Sequence, residues 1–530
     1  MVFRLLRNHR ASVRPRPALN CVALEAREVP AVLFVDDDGV QKPGAFTTIV
    51  AALNAANPND TIEVYKGTYA EQLTIATNGL KLLAKPSSGM DVVISAPADV
   101  VPTSPTIGGA LVDVTATNVK VSGFQIDGST SDGDLFATVR VRNGGSATIS
   151  NNSVVGPTNS SDPAAGIGVQ IGTNRLAGSA GAGTAKVTGN LVSGYYGAGI
   201  LVDGVGGSAT VTGNTITGRG AANGGVAQYG VQVSRGATAR VEKNAISNNS
   251  VGGNPLLANS AGIYFFQDGS RDSVAAKNTV SGNDVGILVE SSNASGAGTI
   301  KVVNNDVTGN TGPAGIAITE SDRVKVKNND VFNNTALNGI FLLTSNTVEV
   351  ENNDVFGNPN ADGIYVFQGA NNQVRCNDSH DNGFNGIFLE QSTNDQVWNN
   401  TTQGNAANGI KVLGGTSNDI WLGSSGSNLA DGILFQDTTN NTVVGNALLA
   451  NTGFGLRLLN ADNTLVAFNL ITGNAAGSVF ISADSTGTVQ IGNRTDTPPV
   501  MEGTTGAAGT SLAYTSAVAA ADAATAGLAD

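Results

Sequence analysis

A four-residue pattern, Gly followed by an apolar, a variable and an apolar residue, recurs through most of the chain. No helix-forming segment fits between successive copies, and the last seven begin 24, 24, 23, 23, 23 and 23 residues apart. A short fixed period of this kind predicts a solenoid, in which each coil of short strands stacks on the next. The copies begin at Gly199, Gly230, Gly262, Gly286, Gly315, Gly339, Gly363, Gly386, Gly409, Gly432 and Gly455.

The composition indicates an ordered and acidic body. Hydrophobic residues make up 40% of the chain and charged residues 13%, and the formal net charge is −13. Disordered chains usually combine low hydrophobicity with high charge, so a folded stack is expected. A negative body repels nucleic acid and anionic membrane surfaces, and the chain lacks the run of about eighteen apolar residues that a membrane-crossing helix needs. We therefore predict neither a nucleic-acid partner nor an integral membrane segment.

Shifts in composition divide the chain into four parts. Residues 1–31 are basic, and their end resembles a leader found on large exported surface proteins of some bacteria, so we expect a disordered export-type leader and a secreted or cell-surface protein. Residues 32–80 are expected to form an N-terminal cap with the first coil, and residues 81–493 the repeating body. Residues 494–530, rich in Ala, Thr and Gly, are interpreted as a low-complexity tail.

The cap is predicted from an amphipathic pattern. Phe46, Ile49, Val50 and Leu53 are spaced as i, i+3, i+4 and i+7, which places them on one face of a helix. The end of a solenoid exposes its apolar core to water. One short helix lying across that end would cover the core.

A second repeat runs in register with the first. Asn recurs at the same period, and Asn tolerates the left-handed backbone that a sharp corner requires. Stacked amides also hydrogen-bond to each other along the axis of such a stack. We expect these corners and this ladder at Asn329, Asn353, Asn377, Asn400, Asn446 and Asn469, with Gly423 in the remaining coil.

These tetrads and Asn corners, with the segment 55–69, resemble the right-handed parallel β-helix proteins of the pectate-lyase-like superfamily, in particular the NosD-type and carbohydrate-binding β-helix repeats. The resemblance covers residues 32–493. It implies an all-β, right-handed parallel β-helix solenoid of about 22–24 residues per coil. The superfamily includes lyases, hydrolases, epimerases and members without known chemistry, so the activity stays open.

One column of side chains is expected to face outward along the whole stack. Strand side chains alternate, so the residues at +1 and +3 from each Gly point inward and the residue at +2 points outward. Four of these outward residues are aromatic within a few coils, and flat rings can bind the apolar faces of sugars. A covering loop or the C-terminal segment would instead make them ordinary packing. The predicted substrate-binding residues are Tyr264, Phe341, Tyr365 and Phe388.

Polar residues beside this column supply candidate catalytic groups. A lyase acting on a uronic acid needs a cation at the carboxylate and a base for the C5 proton, roles that Lys411 and Arg457 could fill. Glu390 and Asp437 could instead form the carboxylate pair of a glycosidase. Charged residues on an acidic surface also occur without any such role.

Motifs of the enzymatic relatives are missing, including the Asp-Pro-His-Asp of mannuronan epimerases and the Gly-His-Gly of polygalacturonases. Asp36-Asp37-Asp38-Gly39 could bind calcium, but it is interpreted as a turn, and no metal or other cofactor is predicted. His380 is a general base or a polar corner residue. Cys376 replaces a corner Asn and is expected to pack there.

Three functions therefore remain open. The first is an exported β-helix, expected to be monomeric, that binds polysaccharide along the aromatic column, with processing of that polysaccharide left open. The second is a polysaccharide lyase or glycoside hydrolase with a site near Lys411 and Arg457. The third is a non-catalytic surface or adhesin-like rod, for which an acidic body without motifs is sufficient.

Overall fold

Three parallel sheets run the length of the protein. A computed structural model describes residues 29–86, 89–103, 107–129, 133–157, 165–173, 181–220, 226–251, 260–268, 272–292, 298–335 and 337–502. Each coil contributes one strand to each sheet, in the order sheet A, sheet B, sheet C. All strand pairings are parallel and join a strand to its equivalent in the next coil, as where Val326 aligns with Val350. The predicted parallel β-helix is confirmed.

The strands are short because each sheet turns into the next after a few residues. Sheet A comprises Val32–Val35, Thr61–Tyr65, Lys81–Lys85, Val119–Ser122, Gly145–Ser150, Gly183–Thr188, Gly207–Thr212, Thr238–Glu242, Val274–Ala276, Ile300–Val303, Val324–Lys327, Glu349–Glu351, Gln373–Arg375, Gln396–Trp398, Asp419–Trp421, Thr442–Val444, Leu465–Ala467 and Val489–Ile491. Sheet B comprises Gly67–Ala70, Val92–Ser95, Gln125–Asp127, Ser153–Val155, Leu191–Ser193, Thr215–Thr217, Ala245–Ser247, Thr279–Ser281, Asp306–Thr308, Asp330–Phe332, Asp354–Phe356, Asp378–His380, Thr401–Gln403, Ser424–Gly426, Ala447–Leu449, Leu470–Thr472 and Arg494–Thr495.

Sheet C carries the Gly tetrads. Its strands are Leu73–Ile75, Gly109–Val114, Leu135–Val141, Ile167–Ile171, Ala198–Asp203, Tyr229–Ser234, Ala261–Phe266, Val285–Glu290, Ala314–Thr319, Asn338–Leu343, Ile364–Phe367, Ile387–Glu390, Ile410–Leu413, Ile433–Thr439, Phe454–Asp462, Gly477–Ile481 and Val500–Met501. The tetrad residues at +1 and +3 point inward as predicted, since Ile364 and Val366 are both fully buried. One continuous apolar core fills the space between the three sheets.

The Asn ladder lies at the corner between sheets A and B and is buried. In Asn329 the backbone nitrogen and Nδ2 both donate to Oδ1 of Asn353, at 3.0 and 2.9 Å. The same Nδ2 donates to the backbone oxygen of Val302 in the preceding coil. Each amide therefore joins three successive coils, and loss of one leaves buried donors and acceptors without partners.

The left-handed corner residue is not the ladder residue, contrary to expectation. The positive φ belongs to the residue before it, as in Asn328 (54°), Asn352 (52°) and Cys376 (55°). The ladder residue needs its side chain turned inward, while the residue before it makes the turn and faces outward. Cys376 occupies the corner stack as predicted, where Asn399 donates to its Sγ at 3.3 Å.

A second Asn ladder, which was not predicted, lies at the corner between sheets B and C. Among the described residues its members are buried and bond from coil to coil in the same way, as where Asn358 donates through Nδ2 to Asn382 at 2.9 Å. In the regular coils the ladder runs through Asn334, Asn358, Asn382, Asn405, Asn428, Asn451 and Asn474.

The N-terminal helix is shorter than its apolar pattern suggested. It spans Ile49–Ala55, and its buried residues are Ile49 and Ala52. Val50, predicted to face the core, is 38% exposed, and Phe46 lies outside the helix in a bridge to Val35. The helix starts only at Ile49 because Thr48 is its N-cap and accepts a hydrogen bond from Ala51.

Coil length and the end of the stack also differ from expectation. Val231 aligns with Ile263, a coil of 32 residues, whereas the coils from Gly315 to Gly455 keep to 23 or 24. The extra residues of the earlier coils lie between the strands. Beyond residue 493 the strands Arg494–Thr495 and Val500–Met501 still pair with the stack. The predicted leader up to residue 28 and the tail from residue 503 lie outside the described residues.

Candidate functional site

The outward column predicted on sheet C exists and crosses the whole described stack. Its members align one to one from coil to coil, about 4.8 Å apart along the axis. From the N-terminal end they are Thr74, Asp113, Arg140, Gln170, Leu201, Gln232, Tyr264, Leu288, Ala317, Phe341, Tyr365, Phe388, Lys411, Leu434, Arg457, Phe480 and Val500. Burial divides the column into three parts.

The N-terminal part is a buried ion cluster that sequence reasoning missed. Arg140 is fully buried and pairs with Asp113 at 2.8 Å, and Arg142 pairs with the same carboxylate at 2.9 Å. Arg140 also donates to the backbone oxygen of Ile107 and to Thr103. These bonds fasten the segment before Gly109–Val114 across sheet C. All the donors are satisfied within the protein, so this part of the column is structural.

The middle part is an apolar cluster around Tyr264. Tyr264 is only 7% exposed, and its ring stacks on Tyr229 with centroids 4.6 Å apart. Its hydroxyl donates to Glu290 at 2.5 Å, and burial together with that bond raises the pKa of Tyr264. Leu288 and Ala317 of the next coils belong to the same buried cluster. Tyr264 thus lacks the exposure expected of a ring that contacts substrate.

The third part is a partly exposed aromatic stack. The ring centroids of Phe341 and Tyr365 lie 5.1 Å apart and those of Tyr365 and Phe388 4.9 Å apart, with the latter planes within 6°. Lys411 Nζ lies 5.3 Å from the Phe388 centroid, a cation–π contact at the end of the stack. Because each inner ring face contacts the next ring, the stack presents ring edges to water.

Two carboxylates lie beside this stack. The Tyr365 hydroxyl donates to Glu390, and burial, followed by that bond, raises the pKa of Tyr365, so it stays protonated as a donor. Asp362 is 8% exposed and accepts from the backbone nitrogen and Nδ2 of Asn385 at 2.8 and 2.7 Å. Burial raises the pKa of Asp362, and the charge of Lys411 opposes that rise. Asp362, Tyr365, Phe388, Glu390 and Lys411 form the candidate site.

Asp362 was not predicted, although the sequence contains a signal for it. It directly precedes Gly363, and Asn385 and Asn408 hold the equivalent places before their own Gly residues. In the structure these residues form a ladder of their own, in which Asn408 donates to Asn385 at 2.9 Å. The signal is a carboxylate in place of the ladder amide, and it marks both Asp362 and Asp431, which precedes Gly432 and donates its backbone N–H to Oδ1 of Asn408 at 3.0 Å.

Arg457 does not join Lys411, because Leu434 lies between them in the column and separates them by two coils, about 10 Å. Its guanidinium lies 3.8 Å from the buried Asp431 and 5.4 Å from the Phe480 ring. Burial raises the pKa of Asp431, while Arg457 lowers it. Arg457 is therefore part of a separate group near the end of the stack.

Asp437 is also set apart from Glu390. Glu390 aligns with Leu413 and, one coil further, with Gln436, so Asp437 lies past the end of that row. It is exposed within the strand Ile433–Thr439, where its φ is positive (54°), and accepts from Asn460 at 2.9 Å. Glu390 and Asp437 do not face each other across a glycoside-sized gap.

His380 lies on sheet B, away from the candidate site. Its ring stacks on Phe356 with centroids 5.0 Å apart, Nδ1 lies 2.9 Å from Asp381, and Nε2 lies 3.2 Å from Asp354. Burial lowers the pKa of His380, but the bond to Asp381 and the charges of Asp378 and Asp354 raise it above its usual value. The ring lies at the end of a sheet B strand and joins two coils.

Two groups among the described residues bring potential metal ligands within 4.8 Å of one another. One is Asp354, Asp378 and His380, just described. The other is the turn Asp36, Asp37 and Asp38. Asp36 accepts from the backbone nitrogen of Lys42 and Asp37 from that of Thr68, so hydrogen bonds account for the conformation of this turn.

Family models match two overlapping parts of the chain. Residues 338–495 match a model described as "Right handed beta helix region", and residues 227–408 match "Periplasmic copper-binding protein (NosD)". The predicted handedness and the NosD-type resemblance are thereby confirmed. No curated protein shows significant sequence similarity to the chain.

The solved structures to which the chain is similar include two epimerases and a protein in complex with xylose. The periplasmic alginate epimerase AlgG is 15% identical, with a TM-score of 0.41 over 67% of this chain and 76% of that one. The A-module of mannuronan C-5 epimerase AlgE4 from Azotobacter vinelandii is 15% identical, with a TM-score of 0.32 over 75% and 88%. XylC in complex with xylose is 11% identical, with a TM-score of 0.42 over 62% and 75%.

The described residues contain no helix that is both long and apolar enough to span a membrane.

Proposed function

We propose that this right-handed parallel β-helix of the pectate-lyase-like type is an extracytoplasmic protein that binds polysaccharide on sheet C. The binding surface is the stack of Phe341, Tyr365 and Phe388, with Glu390 and Lys411 at its side and end. The observation that supports it best is the change along one column from buried residues to half-exposed rings that end in a cation.

The chemistry of this surface suits a sugar chain. Ring edges and ring rims give an apolar strip that matches the C–H faces of pyranoses. Glu390 can accept from sugar hydroxyls, and Lys411 can donate to hydroxyls or pair with a carboxylate. Equivalent positions repeat about every 4.8 Å along the axis, so a polymer with repeating units can make repeating contacts. A small single ligand would use only one coil of this surface.

A catalytic role has less support from the geometry. Lys411 and Arg457 lie two coils apart, and Glu390 and Asp437 do not face each other, so neither of the two predicted catalytic pairs is assembled. Tyr365 is held protonated and is a donor rather than a base. Any lyase or hydrolase chemistry would have to use Glu390 and Lys411 of adjacent coils, with Asp362 behind them. We propose binding as the primary function.

A passive, non-catalytic rod is the second candidate function. The buried cluster around Tyr264, in the middle of the column, favours a purely structural role for that region. Tyr264 packs into an apolar cluster and its hydroxyl is satisfied by Glu290, as a structural residue requires. The proposal of binding is therefore limited to the stack and its neighbours, and Tyr264 is left out of it.

The location outside the cytoplasm is inferred from two features. The leader resembles those of exported surface proteins, and the matching NosD model is described as periplasmic. The activities named for the similar solved structures belong to those proteins alone. We expect a monomer with no cofactor.

The test is a binding screen in gels that contain acidic or neutral polysaccharides, with unsaturated products and reducing ends followed in parallel. We expect retardation by at least one polysaccharide and loss of it in Tyr365→Ala/Phe388→Ala. The matched control is Phe332→Ala/Phe356→Ala, which removes a ring stack on sheet B from the coils of Phe341 and Tyr365, where the centroids lie 5.1 Å apart. Retardation that survives the first variant, or that is lost equally in the control, would contradict the proposal.

A further inference from the structure

Both tryptophans of the protein lie together on a different face. Trp398 and Trp421 align in successive strands of sheet A, with parallel rings within 6° and centroids 5.4 Å apart. The same column begins with ion pairs in earlier coils, where Lys327 pairs with Glu351 at 3.0 Å. The character of the column therefore changes from charged to aromatic within two coils.

One ring face of this pair is left without an aromatic or charged neighbour. The Arg375 guanidinium lies 5.5 Å from the Trp398 centroid, so Trp398 has Arg375 on one side and Trp421 on the other. Trp421 aligns with Val444 in the next coil, and Val444 is followed by Ala467. Because Val and Ala are far smaller than an indole, the second face of Trp421 forms a ledge above them.

Polar groups run beside the ledge. Gln396, Asp419 and Thr442 align with one another in the same strands, two residues before the aromatic column and therefore about 7 Å from it. All three are partly exposed. Trp421 Nε1 is itself buried, without a hydrogen-bond partner among the described residues, so the exposed polar groups are the three side chains of this row. A flat apolar face with donors and acceptors along one side fits a pyranose, which has apolar C–H faces and a rim of hydroxyls.

The charges around the ledge select against an acidic sugar. Asp419 lies beside Trp421 without a cation in the ion pairs of the described residues, and Arg375 is already paired with Glu351 at 2.9 Å. A carboxylated ring placed here would meet the Asp419 carboxylate. The ledge is also only one ring wide, far from the roughly 800 Å² per partner of a stable protein interface.

We propose that the ledge at Trp421 is a second glycan-binding site, on sheet A, that takes neutral pyranose chains. It is independent of the sheet C surface, because the two lie on different faces of the rod and use different residues. Arg375 and Trp398 position Trp421, and Asp419 and Gln396 bind hydroxyls. A rod with one glycan site on each of two faces can hold two chains at once.

Tryptophan fluorescence reports on this site alone, since the chain contains no other tryptophan. The probes are cellohexaose, mannohexaose and xylohexaose, with hexagalacturonate as the acidic comparison. We expect at least one neutral hexasaccharide to change the emission in a saturable way and hexagalacturonate to leave it unchanged. Trp398→Phe, which makes Trp421 the single tryptophan, should keep the response.

Variants separate this site from the sheet C surface. In calorimetry, Trp421→Ala should weaken binding of the active hexasaccharide at least tenfold, and Trp421→Phe, which keeps a ring, less. Tyr365→Ala/Phe388→Ala should leave the fluorescence response intact, even if that variant no longer binds polysaccharide in gels. The proposal is overturned if no neutral hexasaccharide changes the emission, or if Trp421→Ala binds as the unaltered protein does.

Discussion

Two coils of the same rod contain the same pair of residues in different surroundings. Tyr264 donates to Glu290, and Tyr365 donates to Glu390, from equivalent positions on sheet C. Tyr264 is buried in an apolar cluster, whereas Tyr365 lies in a half-exposed stack. A tyrosine in the outward column is therefore not by itself evidence of a binding site, because its neighbours decide its exposure.

Three neighbouring positions differ between the two surroundings. In the coil after the tyrosine, Leu288 near Tyr264 corresponds to the aromatic Phe388 near Tyr365. Two coils after the tyrosine, the small Ala317 corresponds to the cation Lys411. Directly before the Gly of the tyrosine's own coil, the apolar Ala261 corresponds to the buried carboxylate Asp362. These substitutions turn a structural patch into a surface with charge and ring edges.

The largest expected effect is a difference in the free energy of unfolding between the alanine variants of the two tyrosines. Tyr264→Ala should lower the free energy of unfolding by about 3–4 kcal/mol, since it opens a cavity and leaves Glu290 without its donor. Tyr365→Ala, at a half-exposed site, should cost about 1–2 kcal/mol. Denaturant unfolding of both variants measures this. Equal losses would mean that the two surroundings do not differ as described.

A buried carboxylate in a ladder should make stability depend on pH, and Asp395 provides the reference. It is fully buried between Asn372 and Asn418, and burial raises its pKa to about 6. Because the pKa of Asp395 is higher in the folded protein than in the unfolded chain, ionisation of this side chain destabilises the fold as the pH rises from about 4 through about 6. Asp395→Asn should therefore stabilise the protein by about 2 kcal/mol at pH 8 and hardly at pH 4.

Asp362 should give the same direction of pH dependence of stability as Asp395, but unlike Asp395 it belongs to the candidate site. Burial raises its pKa, so Asp362→Asn should also stabilise the fold more at pH 8 than at pH 4. Unlike Asp395→Asn, it should change polysaccharide retardation, because Asp362 lies beside Lys411. Thermal melts and gels at the two pH values test both variants. Identical binding in the two would remove Asp362 from the site.

Removing the cation should weaken binding with little change in stability. Lys411→Met keeps a long apolar side chain over Phe388 and should lower the affinity about tenfold, with a smaller salt dependence. Arg457→Met is the matched control, since Arg457 lies two coils away, and should reduce affinity less than threefold. Affinity measured over a range of salt concentrations tests this, and equal losses in the two variants would contradict it.

The smallest expected effect concerns one hydroxyl. Tyr365→Phe keeps the ring stack but leaves Glu390 without its donor and free to bind solvent or sugar, so the affinity should change by about three- to fivefold. Tyr264→Phe should leave affinity unchanged and lower stability by about 1–2 kcal/mol, because Glu290 loses its partner in an apolar cluster. Titration of both variants with the retained polysaccharide, followed by unfolding, checks the pair.

The regular part of the fold could be predicted because every coil repeats the same local rule. Gly363, Ile364 and Val366 recur as a pattern in nearly every coil, and the buried Asn ladder recurs with them. The exact corner residue could not be predicted, because Asn352 and Asn353 are both amides. Only the structure shows that Asn352 has the left-handed backbone and that Asn353 belongs to the ladder.

The candidate site could be predicted only as a column. That Phe341, Tyr365 and Phe388 face outward follows from strand alternation, but the burial of Tyr264 depends on packing with Tyr229 of the preceding coil. Leu434 lies between Lys411 and Arg457 in the column, so the register of the strands is sufficient to show that these two cations are two coils apart. The ion cluster at Arg140 depends on contacts between distant segments, which no local pattern contains.

The central claim is that the stack around Tyr365, and not the cluster around Tyr264, contacts polysaccharide. Hydroxyl-radical footprinting of the intact protein, with and without a polysaccharide that retards it, measures this directly on individual rings. We predict strong protection of Tyr365 and Phe388, with no change at Phe332 and Phe356 on sheet B. Equal oxidation of Tyr365 and Phe388 in the free and bound protein would contradict the account.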